Sequence, residues 1–196
     1  MPEKFTNIEK SNNNLEVKSD IKFQGNYIKV VEYDGYEIVS EPPMVVILPY
    51  LRDEGFLLLR HEYIPTYSYF YKDTLDYKNI TNFLTVVSGA VKKDESLENA
   101  VRRELYEETG IVLSNMYKVE IDKHLFLSKG NVSQYHTCFL ELRYNDYKVT
   151  QPKNDGSKAE DLSRTIKISL GDINDIKTHD IITEYMITKF KLEYKI

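Results

Sequence analysis

Between Gly89 and Ile111 the chain reads GAVKKDESLENAVRRELYEETGI, with its charged residues at fixed separations. Gly89 is followed by five residues and Glu95, then by seven residues and Arg103-Glu104-Leu105. One residue then separates these from Glu107-Glu108, and one more from Gly110-Ile111. On a helix, residues three and four apart share a face, so Glu104, Glu107 and Glu108 project together. Like charges so placed repel by a few tenths of a kcal/mol per pair, and no lysine stands beside them on that face, so the arrangement invites a cation. Carboxylate oxygens suit hard ions. Magnesium, or manganese in its place, takes a few carboxylates together with substrate phosphate oxygens and retained waters. A lone Glu-Glu pair would read as a solvated helix face, but the full set of spaced positions is a far more specific signal.

The same segment has an apolar side. Leu97, Ala100, Val101 and Leu105 recur at three- and four-residue steps and should face a core. Asp94 and Ser96 are both suitable N-terminal caps, and Gly110 stands where a left-handed residue closes a helix, so the spacing predicts a helix over about 95–109.

This spacing resembles the signature of the Nudix hydrolases, pyrophosphatases acting on nucleoside diphosphates linked to another group, at every specified position. The resemblance implies an α/β fold: a Nudix-type α/β/α sandwich with a mixed β-sheet, here carrying an N-terminal β-hairpin extension. It implies Mg2+, with Mn2+ as a substitute, held mainly by Glu104 and Glu108. Glu107 would be a further ligand or an acceptor behind it, and the backbone carbonyl of Ser88 another ligand. Arg103 would pair with Glu95 and fix the preceding loop onto the helix. The general base of related pyrophosphatases comes from an acidic loop far downstream. In the stretch Gly156-Ser157-Lys158-Ala159-Glu160-Asp161, Glu160 is the first choice for base or extra metal ligand and Asp161 the second. The implied catalytic set is thus Glu160, Glu107 and Arg103.

The rest of the chain supplies strands. Residues 1–42 read as an N-terminal extension with a polar start, and 43–196 as the hydrolase domain. Asp34-Gly35 between alternating apolar runs marks a hairpin within 22–40. MVVILPYL, 44–51, reads as a buried strand, and FLLLRHEY, 56–63, as its antiparallel partner across Arg52-Asp53-Glu54-Gly55. A tyrosine-rich connection, 64–82, precedes a strand over 83–87. Further strands are predicted near 117–121, 124–127, 137–142 and 165–169. An amphipathic helix is predicted over about 179–192, with Ile181, Ile182, Met186, Ile187 and Phe190 on its inner stripe.

The order of these features is similar to the ADP-ribose pyrophosphatase branch of the family. That likeness implies hydrolysis of ADP-ribose or a related nucleoside diphosphate sugar to a nucleoside monophosphate and a sugar phosphate. It also implies a homodimer in which the N-terminal strands cross to the partner. Arg60, Tyr63 and Lys129 are the matching substrate-binding positions, Arg60 as a phosphate contact or else a strand-end surface arginine. The branch often carries arginine or glutamine around Tyr63, glutamate near Thr85 and proline near Lys129, so its specific substrate is less firmly implied. The alternatives are another nucleotide (a dinucleoside polyphosphate, NADH, coenzyme A or an RNA cap) or a non-catalytic nucleotide-sugar sensor. Tyr63, Tyr67, Tyr69 and Tyr71 offer faces for base stacking or for packing a loop. His61, His124, His136 and His179 have no metal spacing in sequence and read as structural.

The formal net charge of −5 argues against non-specific nucleic-acid binding. The one cysteine, Cys138 in HTCFLEL, cannot make an intramolecular disulfide and reads as a core residue. No run approaches the roughly eighteen apolar residues of a membrane helix, and MPEKFTNIEK lacks an apolar signal core, so the expected location is cytoplasmic.

Overall fold

A computed structural model describes residues 19–62, 83–153 and 162–196. Tyr63, Tyr67, Tyr69, Tyr71, the 64–82 connection, Glu160, Asp161 and the polar start of the chain lie outside the described residues.

The predicted hairpin is part of a three-stranded antiparallel sheet of β1 (Ser19–Gln24), β2 (Lys29–Tyr33) and β3 (Tyr36–Ser40). Asp34 and Gly35, at φ 49° and 80°, both lie in the left-handed region. That is the turn whose twist matches the flanking strands, which is why Asp-Gly was legible as a hairpin. The sheet joins the rest of the molecule where Val39 N–H donates to the Gly130 carbonyl at 2.9 Å and Val132 N–H to the Val39 carbonyl at 3.0 Å.

The central sheet is mixed. It is built on β4 (Met44–Leu51), β5 (Phe56–Glu62), β9 (His124–Leu125), β10 (Tyr135–Leu142) and β12 (Arg164–Ser169), in the order β12-β5-β4-β10-β9. β4 and β10 run parallel over eight paired positions, while β5 is antiparallel to both β4 and β12. β4 and β5 pair with each other only near their shared turn, at Tyr50–Leu57 and Leu51–Phe56. Beyond it, β6 (Phe83–Thr85) pairs with β5 and β7 (Val87–Ala90) with β4. A separate two-stranded ribbon, β8 (Ile111–Leu113) with β11 (Tyr147–Val149), buries Ile111 and Leu113 in the core beneath the first helix of the sandwich.

A helix covers each face. α1 (Leu97–Thr109) buries Ala100, Val101 and Leu105 against Val45, Ile47, Val87, Cys138 and Leu140. α2 (Ile181–Tyr194) buries Met186, Ile187 and Phe190 against Val46, Leu48, Leu57 and Leu59. The alternation along β4, Val45 and Ile47 to one side and Val46 and Leu48 to the other, is the period-two rule of a strand buried on both faces. The α/β/α sandwich and its mixed sheet are therefore present as the sequence implies.

Two local expectations are corrected. Residues 117–121 form no strand, although Tyr117, Val119 and Ile121 do pack on the core. The Tyr117 carbonyl is taken by the Arg102 guanidinium at 2.5 Å and so is not free for a ladder. In α2, Ile181 is 69% exposed, and Thr183 occupies the buried place because its hydroxyl accepts the Val86 N–H at 2.9 Å.

Candidate active site

The loop between β7 and α1 is closed by its own side chains. Ser96 caps the helix, its Oγ accepting the Asn99 N–H at 3.2 Å. Asp94 instead takes a left-handed turn at φ 62°, which settles the choice between the two predicted caps. Glu95 accepts the Lys92 N–H at 2.9 Å and holds the Arg103 guanidinium as a fork, from Nε at 2.7 Å and from Nη2 at 2.7 Å. Nη2 also donates to the Ala90 carbonyl at 2.8 Å, so one arginine ties strand, loop and helix together. The bidentate geometry is the one in which arginine outperforms lysine. It holds the Glu95 carboxyl below the usual carboxylate range.

Arg103 reaches further than sequence reasoning placed it. Its Nη1 pairs with Glu104 and, at 3.1 Å, with Glu107. The repulsion among the helix acids is thus offset by a guanidinium one residue before Glu104 and four before Glu107, where the sequence reading leaves them without a positive neighbour. The Glu104 carboxyl is nonetheless pushed up, by burial first, with Arg103 opposing and Glu107 adding to the rise.

Glu104 and Glu108 are buried and Glu107 half-buried. Gly89 explains the position of Glu104: a Cβ built on Gly89 would overlap the Glu104 carboxyl group. The acid therefore lies directly against the strand backbone that carries the Ser88 carbonyl. The Glu104 carboxylate, in the space that only glycine leaves open, and the acids one turn on, Glu107 and Glu108, are all hard oxygen donors. Such a set fits a magnesium or manganese ion.

The last turn of α1 is held from β5 and β12. Arg60 Nη1 donates to the Glu108 main-chain carbonyl at 2.8 Å, and Arg60 Nε lies 3.3 Å from Glu108 Oε2. Thr165 Oγ1 donates to the same carbonyl at 2.8 Å. Arg60, placed by sequence as a phosphate contact or surface residue, is only 3% exposed. Lys129 is exposed on the turn next to the bond between Gly130 and β3. Tyr63 and Glu160 lie outside the described residues.

On the opposite face of β7, Met44, Val46, Ser88, Leu127, Tyr135 and Ile182 border a pocket of about 220 Å³, largely apolar. His124 and His136, remote in sequence, are partners across β9 and β10 with ring centroids 5.7 Å apart. Burial first and the charge of His124 second hold His136 below the ordinary imidazole range. Among the described residues, no three histidine, cysteine or acidic side chains, Glu104, Glu107 and Glu108 included, stand close enough together to enclose a metal by themselves.

The NUDIX domain model matches residues 41–180, more than half of the chain. A solved structure described as an ADP compounds hydrolase aligns with a TM-score of 0.62 and 16% identity, covering 91% of this chain and 94% of that one. At that identity the likeness speaks for the fold alone. No curated protein matches the sequence.

Proposed function

Because the chain belongs to the NUDIX family, we propose that it is a magnesium-dependent pyrophosphohydrolase of ADP-ribose or a related nucleoside diphosphate sugar, giving a nucleoside monophosphate and a sugar phosphate. The observation that carries this reading is the Glu104 carboxylate lying against the glycine of β7, beside Glu107 and Glu108. In the reaction, a water oxygen bonds to one phosphorus, the bridging P–O bond breaks, and the second phosphate leaves with the bridging oxygen. A bound Mg2+ would offset charge on the non-bridging oxygens, and Glu104, Glu108, Glu107 and the Ser88 carbonyl would hold it. Arg103 keeps the acids aligned by anchoring the helix to Glu95 and Ala90. Glu160 is the proposed acceptor of the water proton or a further ligand.

Phosphate-product release with magnesium, measured on ADP-ribose, NADH, diadenosine polyphosphates, coenzyme A and capped RNA, tests the reading. ADP-ribose or a nucleotide sugar should turn over fastest, with the monophosphate as product. Tight binding of one ligand without turnover of any would replace the enzyme with a sensor.

We further propose that the chain forms a homodimer through its N-terminal sheet. Ile21, Val31 and Ile38 are cross-strand neighbours, and Ile21 and Tyr36 are 63% and 74% exposed. Val31, Tyr33, Ile38 and Val132 border an apolar recess of about 390 Å³. Apolar surface gathered in this way marks a covered face. Light scattering should give twice the chain mass for the wild type and a monomer for Ile38→Asp; a wild-type monomer at micromolar concentration refutes the proposal.

A further inference from the structure

We propose that Arg60 is a positioning residue for Glu108, acting through the last turn of α1, and is not a contact for substrate phosphate. The proposal rests on the reading of α1 as the cation-binding helix. α1 ends at Thr109, so the carbonyls of its last turn, that of Glu108 among them, lie beyond the helical ladder. Two side chains from adjacent strands donate to the Glu108 carbonyl: Arg60 of β5 and Thr165 of β12, which are register partners. The guanidinium is a rigid planar fork. With Nη1 fixed on the main-chain oxygen, its Nε faces the carboxylate of the same residue at 3.3 Å. One side chain therefore holds the Glu108 backbone by a hydrogen bond and draws its carboxylate to the same side by an ion pair.

The surroundings leave Arg60 no other task. It is 3% exposed, with Leu59 buried before it and Thr85, its partner on β6, buried beside it. To reach a phosphate in solvent it would have to leave its buried position and give up both its hydrogen bond to the Glu108 carbonyl and its ion pair with the Glu108 carboxylate. Groups that hold a metal-binding side chain from behind fix its orientation, and losing them weakens ion binding or activity.

The test compares Arg60→Met, Arg60→Lys and Thr165→Val with the wild type. It uses Mn2+ binding to the nucleotide-free protein, followed by EPR of free Mn2+, and steady-state kinetics on the best substrate of the panel. Arg60→Met should weaken Mn2+ binding and lower kcat by about 10–100-fold, with KM changed by less than about twofold. Arg60→Lys, which keeps the charge but loses the fork, should fall between Met and wild type. Thr165→Val should leave Mn2+ affinity near wild type, because Arg60 still holds the carbonyl. A KM raised about tenfold with unchanged Mn2+ binding in Arg60→Met would make Arg60 a phosphate contact and overturn the proposal. If Arg60→Met does not fold, the lysine variant decides: wild-type Mn2+ affinity and kcat in it also overturn the proposal. A wild-type protein that binds no Mn2+ removes the cation-site reading and this proposal with it, whereas wild-type binding unaffected by all three substitutions removes only this proposal.

Discussion

Glu104→Gln is expected to lower kcat by about 10²–10³-fold, the scale seen when one charge-stabilising group is removed from a preorganised site. The substitution keeps shape and most hydrogen bonding, so the loss reports charge. Stability should hold or rise slightly. Burial disfavours the ionised Glu104 carboxyl, and Glu107 adds to that penalty. For an acid whose folded pKa is raised, stability falls as pH climbs from the unfolded pKa through the folded one, and above that the penalty stands in full. A neutral amide removes it. Arg103 loses one partner but keeps Glu95, Ala90 and Glu107. Glu107→Gln should behave similarly with a smaller loss, since Glu107 is half-buried and lies off the Gly89 cradle. Calorimetry alongside kinetics separates the two effects. Near-normal turnover in both variants would end the assignment of these acids, and a collapse of Tm in step with kcat would mean that the acids serve the fold.

What the chain disclosed beforehand was what local physics decides. Ala100, Val101 and Leu105, with Leu97 partly buried at its start, mark the inner stripe of α1 because helical period and apolarity coincide there, whereas the pairing of Arg103 with Glu95 came from the family resemblance. Asp34-Gly35 announced its turn through the backbone angles only such residues accept. The inward direction of Arg60 was not readable: it depends on a helix end 48 residues away arriving beneath β5. The pairing of His124 with His136 likewise depends on strand register. Residues 117–121 show the same limit from the other side. Their alternating apolar pattern is real and packs inward, yet a strand also needs a neighbour with free backbone groups, and Arg102 takes the Tyr117 carbonyl first. Composition and pattern name the faces of elements, while long-range closure decides which polar groups meet.

Two glycines bracket α1, and the same substitution at each should fail in opposite ways. In Gly110→Ala the added methyl group meets the backbone carbonyl of Thr150, and the residue is held at φ 73°, in the left-handed region. Neither can yield cheaply, because Thr150 is itself bonded to the Gly110 carbonyl through its N–H at 2.8 Å and its hydroxyl at 3.1 Å. The left-handed penalty of about 1–2 kcal/mol and an overpacking cost of about 1–3 kcal/mol add to about 2–5 kcal/mol, or a Tm lower by about 4–20 °C. In Gly89→Ala the methyl group meets only the far end of the Glu104 side chain, which can swing aside. Its stability cost should stay near about 1 kcal/mol, at the low end for overpacking. The activity cost should nevertheless match that of Glu104→Gln, because the displaced carboxylate no longer faces the strand backbone. The double variant Gly89→Ala/Glu104→Gln then gives the decisive measurement. If the glycine exists to seat that acid, the two losses in kcat are not additive, and the double variant is no slower than the worse single one. Multiplying losses would show that Gly89 serves the reaction by some route other than Glu104, and the cradle as described would have to be abandoned.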